Sequence, residues 1–195
     1  MDTFSIIVAG VGGQGGLSAG RVFAEAALSA GLNPIMGETF GASRRGGTVF
    51  THIRLSAHNV GPLVPAGELD LLLGLEPLEA LRAAVEYSSR RTTAVVSMLE
   101  VQTLDTLSGV SDYPSRSAIL EGLSSMTSRV IHVDPVEALG TTGGGPLLNA
   151  FMLGVVCTHA GLPFPMEHVE ERVREMTGDS KLNTQAFRRG LAYES

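Results

Sequence analysis

The stretch Phe4 to Gly16, FSIIVAGVGGQGG, decides the fold. Its first half is apolar and β-branched and reads as a buried parallel strand. Five glycines then fall within the seven positions Gly10 to Gly16, which marks a tight turn. The next segment, LSAGRVFAEAALSA from Leu17 to Ala30, has helical spacing. Leu17, Val22, Ala26 and Leu28 can share a broad apolar face, and Gly31 is the expected stop. Asn33 to Met36 follows as a second short strand. Strand, glycine turn, helix and strand make a β-α-β unit of about 30 residues.

The same grammar continues downstream. Gly37 to Gly47 reads as a polar, glycine-punctuated loop. Thr48 to Leu55 alternates Val49, Thr51, Ile53 and Leu55 against Phe50, His52 and Arg54, a strand with one face expected to be solvated. Asn59 to Gly67 is a loop. Leu69 to Gly74 and Thr92 to Met98 are core strands, with a helix from Pro77 to Tyr87 between them that begins on proline. Ser115 to Ser125 reads as a helix and Val130 to Val133 as a strand. Three helices close the chain, from about Leu147 to Ala160, Met166 to Met176 and Leu182 to Tyr193. Leu99 to Pro114 carries no clear period. Strands alternating with helices give an α/β class: three layers, a mainly parallel Rossmann-like sheet, and extra C-terminal helices. Residues 1–195 read as a single domain.

Composition narrows the function. With 44% apolar and 17% charged residues, a packed core is expected. No apolar run approaches the ~20 residues of a membrane span, so no membrane role is expected. A net charge of −6 argues against charge-driven nucleic-acid binding. Cys157 stands alone, so the chain by itself can hold neither a disulfide nor an iron–sulfur cluster. A start without a basic signal and the lone cysteine give a cytoplasmic setting as the expectation.

Gly10, Gly12 and Gly15 satisfy GxGxxG, and Glu38 follows at about the ~20-residue distance of a dinucleotide fingerprint. Glycines let a backbone approach a pyrophosphate, and the following helix N-terminus favours negative charge. Three readings stay open: a nicotinamide or flavin site, another anion or cofactor-tail site, and a purely structural turn. Gln14 can brace the turn or meet a partner chain.

The second rich segment is GETFGASRRGG, Gly37 to Gly47. Following the second strand, it belongs to the carboxyl edge of the sheet, beside the glycine turn. Arg44 and Arg45, followed by Gly46 and Gly47, form a cationic loop whose backbone can come close to an anion. Pairing with acids at a subunit interface, or docking on a partner chain, is the alternative.

GVGGQGG, then E-x-F-G-x-S-R-R-G-G-x-V, then H-I-R resembles the gamma-type domain of the 2-oxoacid:ferredoxin oxidoreductases. ELDLLLGLEPLEALR from Glu68 to Arg82, NAFMLG from Asn149 to Gly154 and N-x-x-A-F-x-x-G from Asn183 to Gly190 agree with it, so the resemblance spans the chain. It resembles indolepyruvate oxidoreductase beta subunits and gamma subunits of the pyruvate, 2-oxoisovalerate and 2-oxoglutarate enzymes. Two departures stand out. Arg44 takes a place where the family often has glutamine, and Ser97-Met98 one where it often has Asn-Thr.

The resemblance implies a subunit of a multi-subunit enzyme that oxidatively decarboxylates a 2-oxoacid to acyl-CoA, CO2 and reduced ferredoxin. Thiamine diphosphate and iron–sulfur clusters would sit on partner chains, and ferredoxin would be met through the complex. This chain is expected to bind no cofactor alone, to hold no catalytic or metal residue, and to be inactive in isolation. Coenzyme A is the ligand most suited to touch it, at Gly12, Gly13, Gln14, Gly15, Gly16, Glu38, Arg44, Arg45, Gly46, Gly47 and Asn149. The isolated subunit would expose an apolar patch and could form a homodimer. The competing classes are a free-standing NAD(P)-binding oxidoreductase, weakened by Lys181 being the sole lysine, and a ligand-free scaffold.

The remaining polar residues have structural readings. His52 is expected at a solvent or interface face, and His132 and His159 in apolar surroundings or at a helix end. Asn149 reads as an N-cap, Cys157 as an inert buried thiol, and Glu76 and Glu79 as partners of a helix dipole.

Overall fold

The computed structural model describes residues 3–41, 46–101, 112–140, 145–176 and 179–194. Its strands are β1 (Thr3–Val11), β2 (Pro34–Phe40), β3 (Thr48–Ser56), β4 (Leu71–Gly74), β5 (Thr93–Ser97) and β6 (Arg129–Val133). Its helices are α1 (Gly16–Ser29), α2 (Pro77–Tyr87), α3 (Arg116–Met126), α4 (Pro135–Leu139), α5 (Pro146–His159), α6 (Met166–Arg174) and α7 (Ser180–Leu191). The strands form one sheet in the order β2-β3-β1-β4-β5-β6. β1, β4, β5 and β6 run parallel, whereas β3 is antiparallel to both β1 and β2.

The position of β3 departs from the simple β-α-β expectation. β2 continues past Met36 to Phe40, then turns back through a hairpin, so that β3 inserts between β2 and β1. Glu38 is therefore a strand residue opposite Thr51, not a loop residue. Gly20 permits this packing, because a Cβ there would lie 2.6 Å from Thr51 Cγ2. The apolar face of α1 is also shifted from the expected one. Ala19, Val22, Phe23, Ala26 and Ala27 are buried, while Leu17 and Leu28 remain exposed.

Alternation along β1 splits the core into two layers. Ile6 and Val8 pack with α1, α5, α6 and α7, and Ile7 and Ala9 with α2 and α3. The even face of β3 is not solvated. His52 is fully buried and Arg54 nearly so. The segment between β3 and β4 covers them: Arg54 donates to the Gly61 carbonyl and pairs with Glu68, and the Val64 amide donates to His52 Nδ1. His132, by contrast, is exposed on β6, the opposite edge strand. His159 ends α5 and meets the Tyr193 carbonyl oxygen at 3.0 Å.

The two C-terminal motifs fit each other. α5 and α7 cross so closely that a Cβ on Gly154 would overlap the Phe187 carbonyl oxygen, and one on Gly190 that of Phe151.

Candidate functional site

The glycine turn is held from three sides. Gln14 braces it from within: Oε1 accepts from the Val11 amide at 2.7 Å, and Nε2 donates to the Leu75 carbonyl at 3.3 Å. Of the two roles open to Gln14, the structure shows the brace. The β2–β3 hairpin staples the turn laterally, with Gly12 N donating to Gly47 O at 2.8 Å and Gly46 N to Gly12 O at 3.4 Å. From α5, Asn149 Nδ2 donates to the carbonyls of Gln14 and Gly15 at 3.0 and 3.2 Å. Asn149 is therefore not an N-cap. Gly145 holds that position, and Asn149 lies a full turn inside the helix.

Backbone geometry explains the glycines. Gly13 and Gly15 sit at φ 106° and 84°, where a side chain is strained. Gly15 is the cap residue of α1 and brings no side chain to its first-turn amides, so the positive end of the helix stays open.

Two recesses flank this turn and share Gly13 and Gly15. The front one, about 390 Å³, brings Gly12, Gly13, Gly15, Gly16 and Glu38 together, with Leu17, Phe40 and Val49 as apolar wall. The back one, about 220 Å³, is lined by Gln14, Ser18, Gly145, Asn149 and Met176 besides the shared glycines. Asn149 Oδ1 is buried with no hydrogen-bond partner among the described residues. An unsatisfied acceptor of this kind suits a ligand N–H or O–H. Arg44 and Arg45 lie outside the described residues, but the adjoining Gly46 and Gly47 are at the turn itself.

The strand order differs from that of a dinucleotide-binding unit, because β3 lies between β1 and the strand that carries Glu38. Glu38 still reaches the front recess.

The other titratable groups stand apart from the turn. His52 is neutral, with Nδ1 accepting from Val64 N and Nε2 facing Thr39 Oγ1 at 3.2 Å. Burial lowers its pKa to about 4, against a smaller raising effect of Glu86. Glu76 caps α2 by accepting from the Glu79 amide, and also accepts from the Tyr113 hydroxyl at 2.5 Å. Burial raises its pKa above the usual carboxylate range. Burial, with help from Glu167, pushes the Cys157 thiol up to about 12, so it is inert at neutral pH. No group of three or more His, Cys, Asp and Glu with metal-binding geometry occurs among the described residues, nor any helix long and apolar enough to cross a membrane.

Some site residues had no local signal. Phe40 and Val49 join the front wall only because β2 and β3 pair, and Ser18, Gly145 and Met176 meet only through α1–α5–α6 packing. The tie between Glu76 and Tyr113 spans 37 positions.

A strand-to-helix glycine turn, stapled to the β2–β3 pair in a mixed sheet and set at the N-terminus of α1, defines the class as an α/β domain. The chain belongs to the pyruvate ferredoxin/flavodoxin oxidoreductase family, whose model matches residues 5–193. It is 36% identical over 189 residues to indolepyruvate oxidoreductase subunit IorB of Archaeoglobus fulgidus, covering 95% of this chain and 92% of that one. It is 25% identical to the pyruvate/ketoisovalerate oxidoreductases common subunit gamma of Thermococcus kodakarensis, covering 95% and 96%. Among solved structures, pyruvate oxidoreductase subunit PORC of Thermotoga maritima superposes with a TM-score of 0.68 at 22% identity, covering 98% and 97%. A 2-oxoglutarate:ferredoxin oxidoreductase from Magnetococcus marinus, solved with 2-oxoglutarate, coenzyme A and succinyl-CoA bound, matches at 0.66 and 19%; this chain corresponds to 31% of its length. The two structures support the gamma-type fold, and the curated relatives the family.

Proposed function

We propose that this chain is the gamma-type subunit of a ferredoxin-dependent 2-oxoacid oxidoreductase, acting on an aryl 2-oxoacid of the indolepyruvate kind. Its part is to hold the anionic portion of coenzyme A at the glycine turn. In such a complex thiamine diphosphate and iron–sulfur clusters on partner chains supply decarboxylation and electron transfer, and coenzyme A supplies the thiol that accepts the acyl group. The relatedness to IorB supports the substrate class.

One observation carries the ligand reading: the first turn of α1 has no side-chain cap, and its residues Gly16, Leu17 and Ser18 line recesses walled by glycine backbone. That arrangement suits phosphate oxygens. Gly12, Gly13, Gly15 and Gly16 provide the close backbone approach, and Gln14 keeps the turn in shape. Gly46 and Gly47 lie at the turn, and Arg44 and Arg45 directly precede them in the sequence, which supports a role for the two guanidinium groups in neutralising phosphate charge. Asn149 offers Oδ1 to a ligand donor, and Glu38 is placed to accept from a ligand hydroxyl.

Calorimetric titration of the purified complex with coenzyme A tests this reading. Arg44→Ala/Arg45→Ala is expected to weaken binding by tenfold or more, given the ~1.5–3 kcal/mol of a hydrogen bond to a charged group. Unchanged affinity would remove the arginines from the site. Turnover of a 2-oxoacid by the isolated chain would overturn the division of labour.

A further inference from the structure

The sheet ends in two edge strands, β2 and β6, and the chain treats them differently. β6 is five residues long and begins on the exposed Arg129. Met98 N donates to Val133 O, so the preceding carbonyl, that of His132, points away from β5. The Tyr193 hydroxyl donates to it at 3.2 Å. The chain's own C-terminal segment thus caps this edge.

β2 is seven residues long, carries one charge and has proline only at its first position. Two bonds at its ends fix which groups it shows. Ser56 N donates to Asn33 O at 3.3 Å, and Gly41 N to Thr48 O at 2.8 Å. Both pairs continue the β2–β3 register. The odd-numbered residues between them therefore bond β3, and the even-numbered ones turn their N–H and C=O groups outward. Met36 and Glu38 present two donors and two acceptors in this way. None of the four has a hydrogen-bond partner among the described residues. An unblunted edge of this kind is a template for a further strand.

Charge selects that strand. Glu38 forms no ion pair among the described residues. A second copy of the chain, paired across a two-fold axis, can use all four groups in two registers. One sets Glu38 opposite its own equivalent, about 5.5 Å away at Cα. The other sets the two carboxylates diagonally, ~7–8 Å apart at Cα. Like charges so placed repel, whereas a lysine or arginine there is attracted.

We propose that the β2 edge receives an extended segment of a partner subunit, with a lysine or arginine opposite or diagonal to Glu38. The proposal rests on the reading that the chain works inside a multi-subunit complex. Glu38 also lines the front recess of the glycine turn. The added strand therefore borders that recess, which links assembly to the ligand site.

The test is amide hydrogen exchange at Met36 and Glu38 in the lone full chain and in the assembled complex. Both amides are expected to exchange at least about tenfold more slowly in the complex. Unchanged rates in a complex that has formed overturn the added strand and leave the functional reading intact. A chain that joins no such complex overturns both. Slowing in the lone chain that grows with its own concentration makes a second copy the occupant and overturns the partner. Two variants isolate the backbone contribution. Met36→Ala and Met36→Pro both shorten the side chain, but only Met36→Pro loses the outward N–H, and neither removes a β2–β3 ladder bond. Met36→Pro is expected to bind the rest of the complex about three- to tenfold more weakly than Met36→Ala. Equal affinities overturn the pairing. Without coenzyme A present, Glu38→Gln is expected to flatten the salt dependence of association. An unchanged salt dependence overturns the cationic occupant.

Discussion

Asn149 on α5 donates from one side-chain nitrogen to the carbonyls of Gln14 and Gly15, joining chain segments 135 residues apart. The bond ties the C-terminal helical layer to the glycine turn, so it serves both stability and site geometry. Asn149→Ala is expected to cost about 1–3 kcal/mol in urea unfolding, because the amide is almost wholly buried. Asn149→Asp keeps the volume but sets a carboxylate against two carbonyl oxygens. It should weaken coenzyme A binding at least as much as the alanine variant does. An Asp variant that binds coenzyme A like wild type would show that this contact does not shape the turn.

Gly154 and Gly190 form a closer tie within the same layer. Added Cβ atoms would collide with backbone carbonyl oxygens, which cannot swing away as a side chain can. Gly190→Ala should therefore separate α5 from α7 and cost roughly 3 kcal/mol or more, at or above the usual range for overpacking. Gly161→Ala is the contrast. A Cβ there meets nothing within 4 Å, and the strain comes only from its φ of 58°. A thermal midpoint for Gly190→Ala no lower than that of Gly161→Ala would contradict the close crossing.

The sequence made the fold legible where one segment carries its own signal. FSIIVAGV, the glycine turn and the Pro77 helix each combine a period with a punctuation residue, and each forms as expected. The place of β3 could not be read, because antiparallel insertion is decided by which strand edge is free and not by the composition of TVFTHIRL. The burial of His52 and Arg54 has no local signal for a related reason: their cover is a loop, Asn59 to Gly67, that has no periodicity. The glycine turn and Gly46–Gly47 were recognised as neighbours from local residues. Asn149 was legible as a special residue but not as a brace, since its partners lie at the far end of the chain.

His52 makes stability depend on pH. Burial lowers its folded pKa to about 4 from an ordinary 6.5. Between these values the unfolded chain binds a proton that the folded chain refuses, so stability falls as pH falls from about 6.5 toward 4. The full loss is about 3 kcal/mol, at 1.36 kcal/mol per pKa unit. Other groups titrate in the same window, so the informative quantity is the stability of wild type minus that of His52→Gln. That difference should drop by about this amount between pH 7 and pH 4. A constant difference would mean that the imidazole is hydrated in the folded protein.

Arg82 and Glu79 provide a test of buried charge. Glu79 Oε1 takes the 2.6 Å contact from Arg82, and Oε2 is buried without a hydrogen-bond partner among the described residues. Arg82→Ala would leave that carboxylate unpaired inside the protein. Breaking a fully buried pair costs about 3–5 kcal/mol. Arg82 is 44% exposed, so solvent screening should reduce the loss to roughly 2 kcal/mol. The neutral amide of Glu79→Gln needs no counter-charge. In that background the arginine deletion should cost under about 1 kcal/mol, giving a coupling of ~1 kcal/mol or more in a double-mutant cycle by chemical denaturation. Additive losses would mean that water reaches Glu79 once the arginine is gone.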